Sequence, residues 1–284
     1  MNLGHTYENT ARLVRALTGE APSAADLPRE YRAAISRLRP MPAEGETLSI
    51  SYEDGDWAAH CVNNGIFEHI FRGAGPTDGP KREAWDAKVT EALALIEEIS
   101  PELRHMVDLL VTDLVIVNTG ADGGGSASHI PGVVVMSPGS DWDVLDYAMC
   151  LVHEGMHLNL FVGDAVYGTF DLPSSELEAD EYRALSAVKI GQRRPLDKAF
   201  HAAVVTVPLM FMENHQGKTT LVDLYTKSLR DACVDLEKQR PHFTEYGRLL
   251  LDELCGFGET IDFAQCAYAT RGAEFMGYRP SVAA

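Results

Sequence analysis

The segment from residue 132 to residue 160 constrains the fold of this chain most strongly. It begins with the β-branched run GVVVMS (132–137), which is typical of a buried strand. Ser140, with Asp143 three residues later, predicts a helix N-terminus and a helix over about 141–160. A strand followed by a long, mainly apolar helix indicates a domain in which a sheet packs against that helix.

Helical periodicity accounts for most of the remaining chain. Alternation over 48–52 and the β-branched end of 107–119 predict two further strands, and the glycine-rich segment 120–126 is interpreted as a mobile loop. We therefore expect an α+β fold, mostly helical, with a small sheet packed beside the 141–160 helix. Further helices are predicted in the first 40 residues and over about 81–99, 174–190, 196–213, 218–239, 244–254 and 259–271.

The break at 73–81 (GAGPTDGPK) suggests a division of the chain. We expect an N-terminal helical region (1–80) and a catalytic region (81–284), unless the two form one continuous domain. Pro208 is expected to kink the helix over 196–213 or to end it early.

Charge and cysteine content restrict the partners and the compartment. The chain has 24 Lys and Arg against 42 Asp and Glu, a formal charge of −18, which disfavours nucleic acid and anionic membranes as partners. It has no apolar run near 18 residues, and its N-terminus lacks the pattern of an export signal. The five cysteines are scattered and odd in number, which favours reduced thiols and a cytoplasmic protein.

Residues 153–157 read His-Glu-Gly-Met-His, an H-E-x-x-H motif inside the predicted helix. Residues four apart lie one turn above each other, so the imidazoles of His153 and His157 can reach one metal ion from the same face. Glu154 can reach a metal-bound water. The motif therefore predicts a metal site with His153 and His157 as ligands.

Two residues are candidates for the third ligand. Glu176 and Asp180 are spaced by four in the acidic run 174–184, which we predict to be helical. The E-x-x-A-D string there resembles the helix that supplies the third ligand, a glutamate, in gluzincin metallopeptidases. His201, near the start of the next apolar helix, is the alternative.

Two reactions fit such a site. In zinc hydrolysis, a His-His-Glu site would lower the pKa of a bound water, and Glu154 would act as general base on a peptide or amide. Two histidines and one carboxylate are also the ligand set of non-haem Fe(II) oxygenases. In that case an arginine would hold the distal carboxylate of 2-oxoglutarate, and the Arg193-Arg194 pair is available for this.

Between about residues 88 and 254 the chain resembles the HExxH-type 2-oxoglutarate-dependent peptide β-hydroxylases, which are encoded beside genes for ribosomally made, modified peptides. The resemblance implies Fe(II), O2 and 2-oxoglutarate as reactants, and hydroxylation of a peptide or peptide-like substrate in natural-product biosynthesis. It makes His153 and His157 the iron ligands and Arg194 the anchor of the co-substrate. The matching segments are SASHIPGVVVMSP (126–138), LVHEGMHLNLF (151–161), RRPLDKAFHAA (193–203) and RPHFTEYGRLLLDEL (240–254).

The run GVVVMS also has a possible binding function in this interpretation. An exposed strand edge can bind an extended peptide by main-chain hydrogen bonds, and we expect this run to provide one. This expectation applies equally to a hydroxylase and to a peptidase.

Overall fold

A computed structural model describes residues 2–270 of the chain. Within them the fold is α+β, as predicted, with eleven α-helices, a four-stranded sheet and a two-stranded sheet. The described residues form two compact units, one of residues 7–161 and one of residues 2–6 with 162–270. The predicted functional division near residue 80 stays a prediction.

The secondary-structure elements follow the predicted order along most of the chain. The strands are β1 (Ser49–Tyr52), β2 (Asp113–Ile116), β3 (Gly123–Ser126), β4 (Val133–Ser137), β5 (Ala184–Leu185) and β6 (Arg193–Arg194). The helices are α1 (Leu3–Thr18), α2 (Leu27–Ile35), α3 (Asp56–Asn63), α4 (Glu68–Phe71), α5 (Gly79–Ile99), α6 (Pro101–Leu110), α7 (Val144–Tyr167), α8 (Leu196–His215), α9 (Thr220–Lys238), α10 (Glu245–Thr260) and α11 (Phe263–Thr270).

The larger sheet has the strand order β1-β2-β4-β3 and lies in the 7–161 unit. Strands β1, β2 and β4 are parallel, whereas β3 pairs antiparallel with β4. Every residue of β2 and β4 is buried, which explains their continuous apolar, β-branched sequence. One face packs against Trp57 and Cys61 of α3 and Ile70 and Phe71 of α4.

The prediction that GVVVMS provides a strand edge is wrong. Strand β4 lies between β2 and β3, so both of its edges are already paired. The outer position belongs to β3, which is formed by the glycine-rich segment that we expected to be a mobile loop.

In the second unit, helix α9 packs against α8 and α10, and α8 and α9 pack against the short β5–β6 hairpin. Asp235 of α9 accepts a hydrogen bond from the backbone N–H of Leu185, and Ser228 donates to the carbonyl of Ala187. The rings of Phe200 and Phe243 pack at 5.4 Å between centroids. Pro208 is accommodated inside α8, which continues to His215, so it does not end the helix early.

The helix predicted over 174–190 is absent. This segment forms turns, a short 3₁₀-helix (Asp180–Tyr182) and strand β5. Leu177 is the only buried residue between 174 and 183, so the segment has no apolar face that a helix would bury. Hydrogen bonds between Arg183 and Arg193 instead join the two ends of the hairpin.

No helix of the described residues is long and apolar enough to cross a membrane.

Candidate metal centre

The H-E-x-x-H motif lies on α7, as predicted, but the helix begins later than expected. Asp143 caps it by accepting hydrogen bonds from the backbone N–H groups of Leu145 and Asp146, at 2.8 and 3.1 Å. Asp146 in turn accepts from the backbone N–H of Asp143 at 2.8 Å. The capping box is thus Asp143 with Asp146 rather than Ser140 with Asp143, because the chain still turns at Gly139, whose carbonyl accepts from Trp142 N–H.

The two histidines of the motif converge on one point. Their Nε2 atoms lie 3.1 Å apart, and their ring centroids lie 4.8 Å apart. Two nitrogens bound to one metal ion at about 2.0–2.1 Å are separated by about 2.8–3.4 Å for ligand angles between a right angle and the tetrahedral value. The pair therefore has the separation that one metal ion requires, and this separation suits both zinc and iron.

The protonation state of His153 is also suitable for metal binding. Burial lowers its pKa to about 4, although a quarter of the side chain is exposed. The imidazole is therefore neutral at pH 7 and retains the lone pair that a metal ligand needs.

Glu154 points toward both β3 and His153. Only 4% of the residue is exposed, and Ser126 of β3 donates a hydrogen bond to its Oε2 at 2.7 Å. The other oxygen, Oε1, lies 3.8 Å from Nε2 of His153. Burial raises the pKa of Glu154 to about 7, and the hydrogen bond from Ser126 opposes this rise.

Glycines allow β3 to lie directly against α7. A Cβ atom at Gly124 would lie 2.7 Å from Sγ of Cys150 and 3.0 Å from Oε1 of Glu154. A Cβ atom at Gly125, on the opposite face of the strand, would lie 2.7 Å from the ring of Phe67. The glycine run is therefore explained by close packing on both faces of the strand.

The first candidate for the third ligand lies in the second unit and outside any α-helix. Glu176 is exposed and forms part of a turn in which its N–H donates to the carbonyl of Pro173 at 2.9 Å. The predicted helical pairing of Glu176 with Asp180 is wrong, because Asp180 begins a 3₁₀-helix instead. The assignment of Glu176 as a metal ligand stays a prediction.

His201, the other candidate, lies in the first turns of α8. Burial lowers its pKa to about 4, while the charges of Asp197 and Asp164 act in the opposite direction. It is therefore neutral at pH 7, as a metal ligand must be. Within the described part of the chain, no group of three or more His, Cys, Asp or Glu side chains is arranged to hold a metal ion.

The two adjacent arginines differ in their contacts. Arg193 is bound to Asp235 at 2.8 Å and donates a hydrogen bond to the carbonyl of Arg183. The side chain of Arg194 is half-buried, and its guanidinium has no hydrogen bond or ion pair with any residue that the structure describes. Arg193 therefore has a structural role in the hairpin, whereas no described residue neutralises the charge of Arg194.

Ser126 and Gly124 are the residues of this centre to which sequence analysis assigned no function. Ser126 is the first residue of the serine-rich segment in the family resemblance, but its contact with Glu154 spans 28 positions and follows no spacing rule. No protein-family model and no curated protein sequence matches the chain.

Proposed function

We propose that this protein is a metal-dependent enzyme, a non-haem Fe(II) and 2-oxoglutarate-dependent oxygenase that hydroxylates a peptide or peptide-like substrate in natural-product biosynthesis. The observation that supports a metal is the 3.1 Å separation of the Nε2 atoms of His153 and His157. The residues fit the ion, because two imidazole nitrogens suit Fe(II) as well as Zn(II).

Arg194 favours the oxygenase over other metal enzymes. A half-buried guanidinium with no partner in the described part of the chain is unusual when acidic residues outnumber basic ones by 42 to 24, and a planar carboxylate is its best-matched ligand. We assign Arg194 to the distal carboxylate of 2-oxoglutarate, as the family resemblance implies.

The chemistry supplied by the bound iron would be the oxidation of a C–H bond of the substrate. One oxygen atom of O2 would enter that bond, and the other would enter succinate as 2-oxoglutarate loses CO2. His153 and His157 would hold the iron, and Arg194 would hold 2-oxoglutarate.

Strand β3 supports a peptide as the substrate. Among the described strands β3 pairs with β4 alone, so its other side offers backbone N–H and C=O groups to an extended chain. The same strand supplies Ser126, which contacts Glu154 of the motif. A peptide added to β3 would therefore run beside the metal ligands.

The proposed enzyme is cytoplasmic. The free state of all five cysteines supports this location, because cytoplasmic proteins keep their thiols reduced.

The test is the visible charge-transfer band that forms when a 2-oxo acid chelates Fe(II). We expect anaerobic Fe(II)-loaded protein to develop this band during titration with 2-oxoglutarate. Arg194→Gln should weaken 2-oxoglutarate binding about tenfold or more, since a charged hydrogen bond is lost. Lys198→Gln is the matched control, because Lys198 is an exposed cation paired with the exposed Glu178, and it should bind 2-oxoglutarate as the native protein does. No band in the native protein, or equal losses in both variants, would contradict the proposal.

A zinc-dependent peptidase or amidase is the second candidate, and the position of Glu154 favours it. One carboxylate oxygen is fixed by Ser126 and the other lies 3.8 Å from Nε2 of His153, which is suitable for a general base acting on a metal-bound water. Glu154→Gln separates the two candidates. A peptidase would lose turnover and keep its zinc, whereas an oxygenase would still show the 2-oxoglutarate band.

A further inference from the structure

Helix α2 and the turn that follows it contain three buried donor atoms that have no hydrogen-bond partner among the residues that the structure describes. They are Oη of Tyr31, Nη1 of Arg32 and Nε of Arg39. All three residues belong to the 7–161 unit, and the donors lie within nine positions of the chain. Buried donors in native proteins are nearly always paired, so this concentration indicates an acceptor that the described side chains do not supply.

Arg32 is the most unusual of the three. Only 4% of the residue is exposed, yet its side chain forms no hydrogen bond and no ion pair within the described part of the chain. A guanidinium stays charged in a protein, and a buried charge needs a counter-charge. Burial and the like charge of Arg39 lower the pKa of Arg32, and the charges of Asp113 and Asp108 oppose this only in part.

Asp113, the acid that acts most strongly on Arg32, is already paired with Arg39. Asp113 accepts a hydrogen bond from Nη2 of Arg39 at 2.7 Å, and it also accepts from Thr112 and from the indole N–H of Trp57. Asp108, the second acid that acts on Arg32, is exposed and paired with Arg104 at 2.8 Å. The three arginines and two aspartates therefore leave one positive charge unbalanced. That charge is buried in a protein whose formal net charge is −18.

The three donors share one neighbourhood. The charges of Arg39 and Arg32 both oppose the rise that burial causes in the pKa of Tyr31, so both arginines act on this hydroxyl. Arg39 is fixed there by hydrogen bonds to Thr112, at 2.9 Å, and to the carbonyl of Pro131, at 3.1 Å. Its Nε remains available on another side of the same planar group.

We propose that Tyr31, Arg32 and Arg39 form a buried binding site for one small oxyanion, such as phosphate or a carboxylate. An oxyanion supplies several acceptor oxygens and the missing negative charge, and it matches the guanidinium geometry. The anion would tie α2 to the start of β2, because Arg39 already bonds to Thr112 and Asp113 there. This site is separate in its residues from the histidine pair and does not depend on the proposed function.

The first test is the anion content of the purified full chain. Acid denaturation of native protein, dialysed into oxyanion-free chloride buffer, should release about one phosphate or carboxylate per chain. Arg32→Gln should release none. Arg29→Gln is the matched control, because Arg29 lies on the same helix but is exposed and paired with Asp26 and Glu30, and it should behave as native.

If dialysis removes the anion, added inorganic phosphate should bind at the empty site and stabilise the protein. At constant ionic strength, phosphate should raise the thermal unfolding midpoint of the native chain by several degrees and leave that of Arg32→Gln unchanged. Tyr31→Phe provides a variant that should fold well, since it removes an unpaired buried hydroxyl. It should be at least as stable as native without phosphate and should show a smaller phosphate response.

Two results would overturn the proposal. One is native protein that neither releases an oxyanion nor responds to phosphate, which would mean that ordered water alone solvates the three donors. The other is an equal phosphate response in native protein, Arg32→Gln and Tyr31→Phe, which would indicate a general salt effect.

Discussion

The hydrogen bond from Ser126 to Glu154 is the contact that fixes the motif glutamate against β3. The carboxylate lies in a buried position, and Oγ of Ser126 is 2.7 Å from its Oε2. Ser126→Ala removes this donor and leaves a buried carboxylate less well solvated. We expect the free energy of unfolding of the metal-free protein to fall by about 1–3 kcal/mol.

Urea unfolding at pH 7.5 measures this loss. Ser175→Ala is the matched control, since Ser175 is exposed, and its midpoint should equal that of the native protein. Identical unfolding midpoints for Ser126→Ala and Ser175→Ala would show that the contact contributes nothing.

Gly124 tests the close approach of β3 to α7. An added methyl group would lie 2.7 Å from Sγ of Cys150, so Gly124→Ala should destabilise the protein by about 1–3 kcal/mol. Gly120→Ala is the control, because nothing lies within 4 Å of a Cβ atom at that exposed position. Cys150→Ala combined with Gly124→Ala should recover part of the loss, since it removes the sulfur.

These stabilities can be compared by thermal unfolding of the three variants. A Gly124→Ala protein as stable as Gly120→Ala would mean that the strand is not held against the helix as described.

At the scale of elements, the contact between α1 and α10 predicts a pH-dependent stability. His5 is 3% exposed, its Nε2 lies 2.9 Å from the hydroxyl of Tyr246, and burial lowers its pKa to about 4. The unfolded chain, in which the pKa is about 6.5, therefore binds a proton at a higher pH than the folded chain. The stability from neutral His5 is complete above about pH 6.5 and is lost as the pH falls toward 4, by up to about 3 kcal/mol.

The measurement is the free energy of unfolding between pH 7.5 and 4 for the metal-free native protein and for His5→Gln. The difference in the free energy of unfolding between native protein and His5→Gln should shrink as the pH falls, because the variant has no imidazole at position 5 to take up a proton. His215→Gln, at an exposed position, should follow the native curve in parallel. A constant difference between native and His5→Gln would contradict this role of His5.

The elements also show where sequence analysis succeeds. Strand β4 and helix α7 were predicted because local preference and burial agree: the run Val133–Ser137 is β-branched and buried throughout, and α7 is mainly apolar. The acidic run 174–183 has helical spacing in its charged residues only, and charge spacing without an apolar face does not stabilise a helix. The hypothesis that Glu176 is the third ligand was based on this helix, so helical spacing no longer supports it.

In the glycine-rich segment the error is the opposite one, because a regular element forms where the sequence predicted none. Glycine has low strand propensity, so the sequence indicated a loop at 120–126. Strand β3 forms there because Cys150 and Glu154 approach one face and Phe67 the other, and only glycine leaves space for both. Contacts of this kind join distant positions and follow no local pattern, so Ser126 could not be assigned from sequence.

For the whole molecule, the histidine pair on α7 is the feature on which the functional proposal depends. Both imidazoles belong to the unit of residues 7–161, and the separation of their nitrogens matches that of ligands of one metal ion. Among the described residues Arg194 has no hydrogen bond or ion pair through its side chain, and in the proposed function it would bind the anionic co-substrate.

The most direct test of the metal centre is an anomalous difference map at the iron absorption edge, from crystals grown anaerobically with Fe(II). We predict one peak at about 2.0–2.2 Å from Nε2 of both His153 and His157, and no peak in His157→Ala. The first coordination sphere of that peak would also identify the third ligand. A native map without a peak between the two imidazoles would contradict the proposed metal centre.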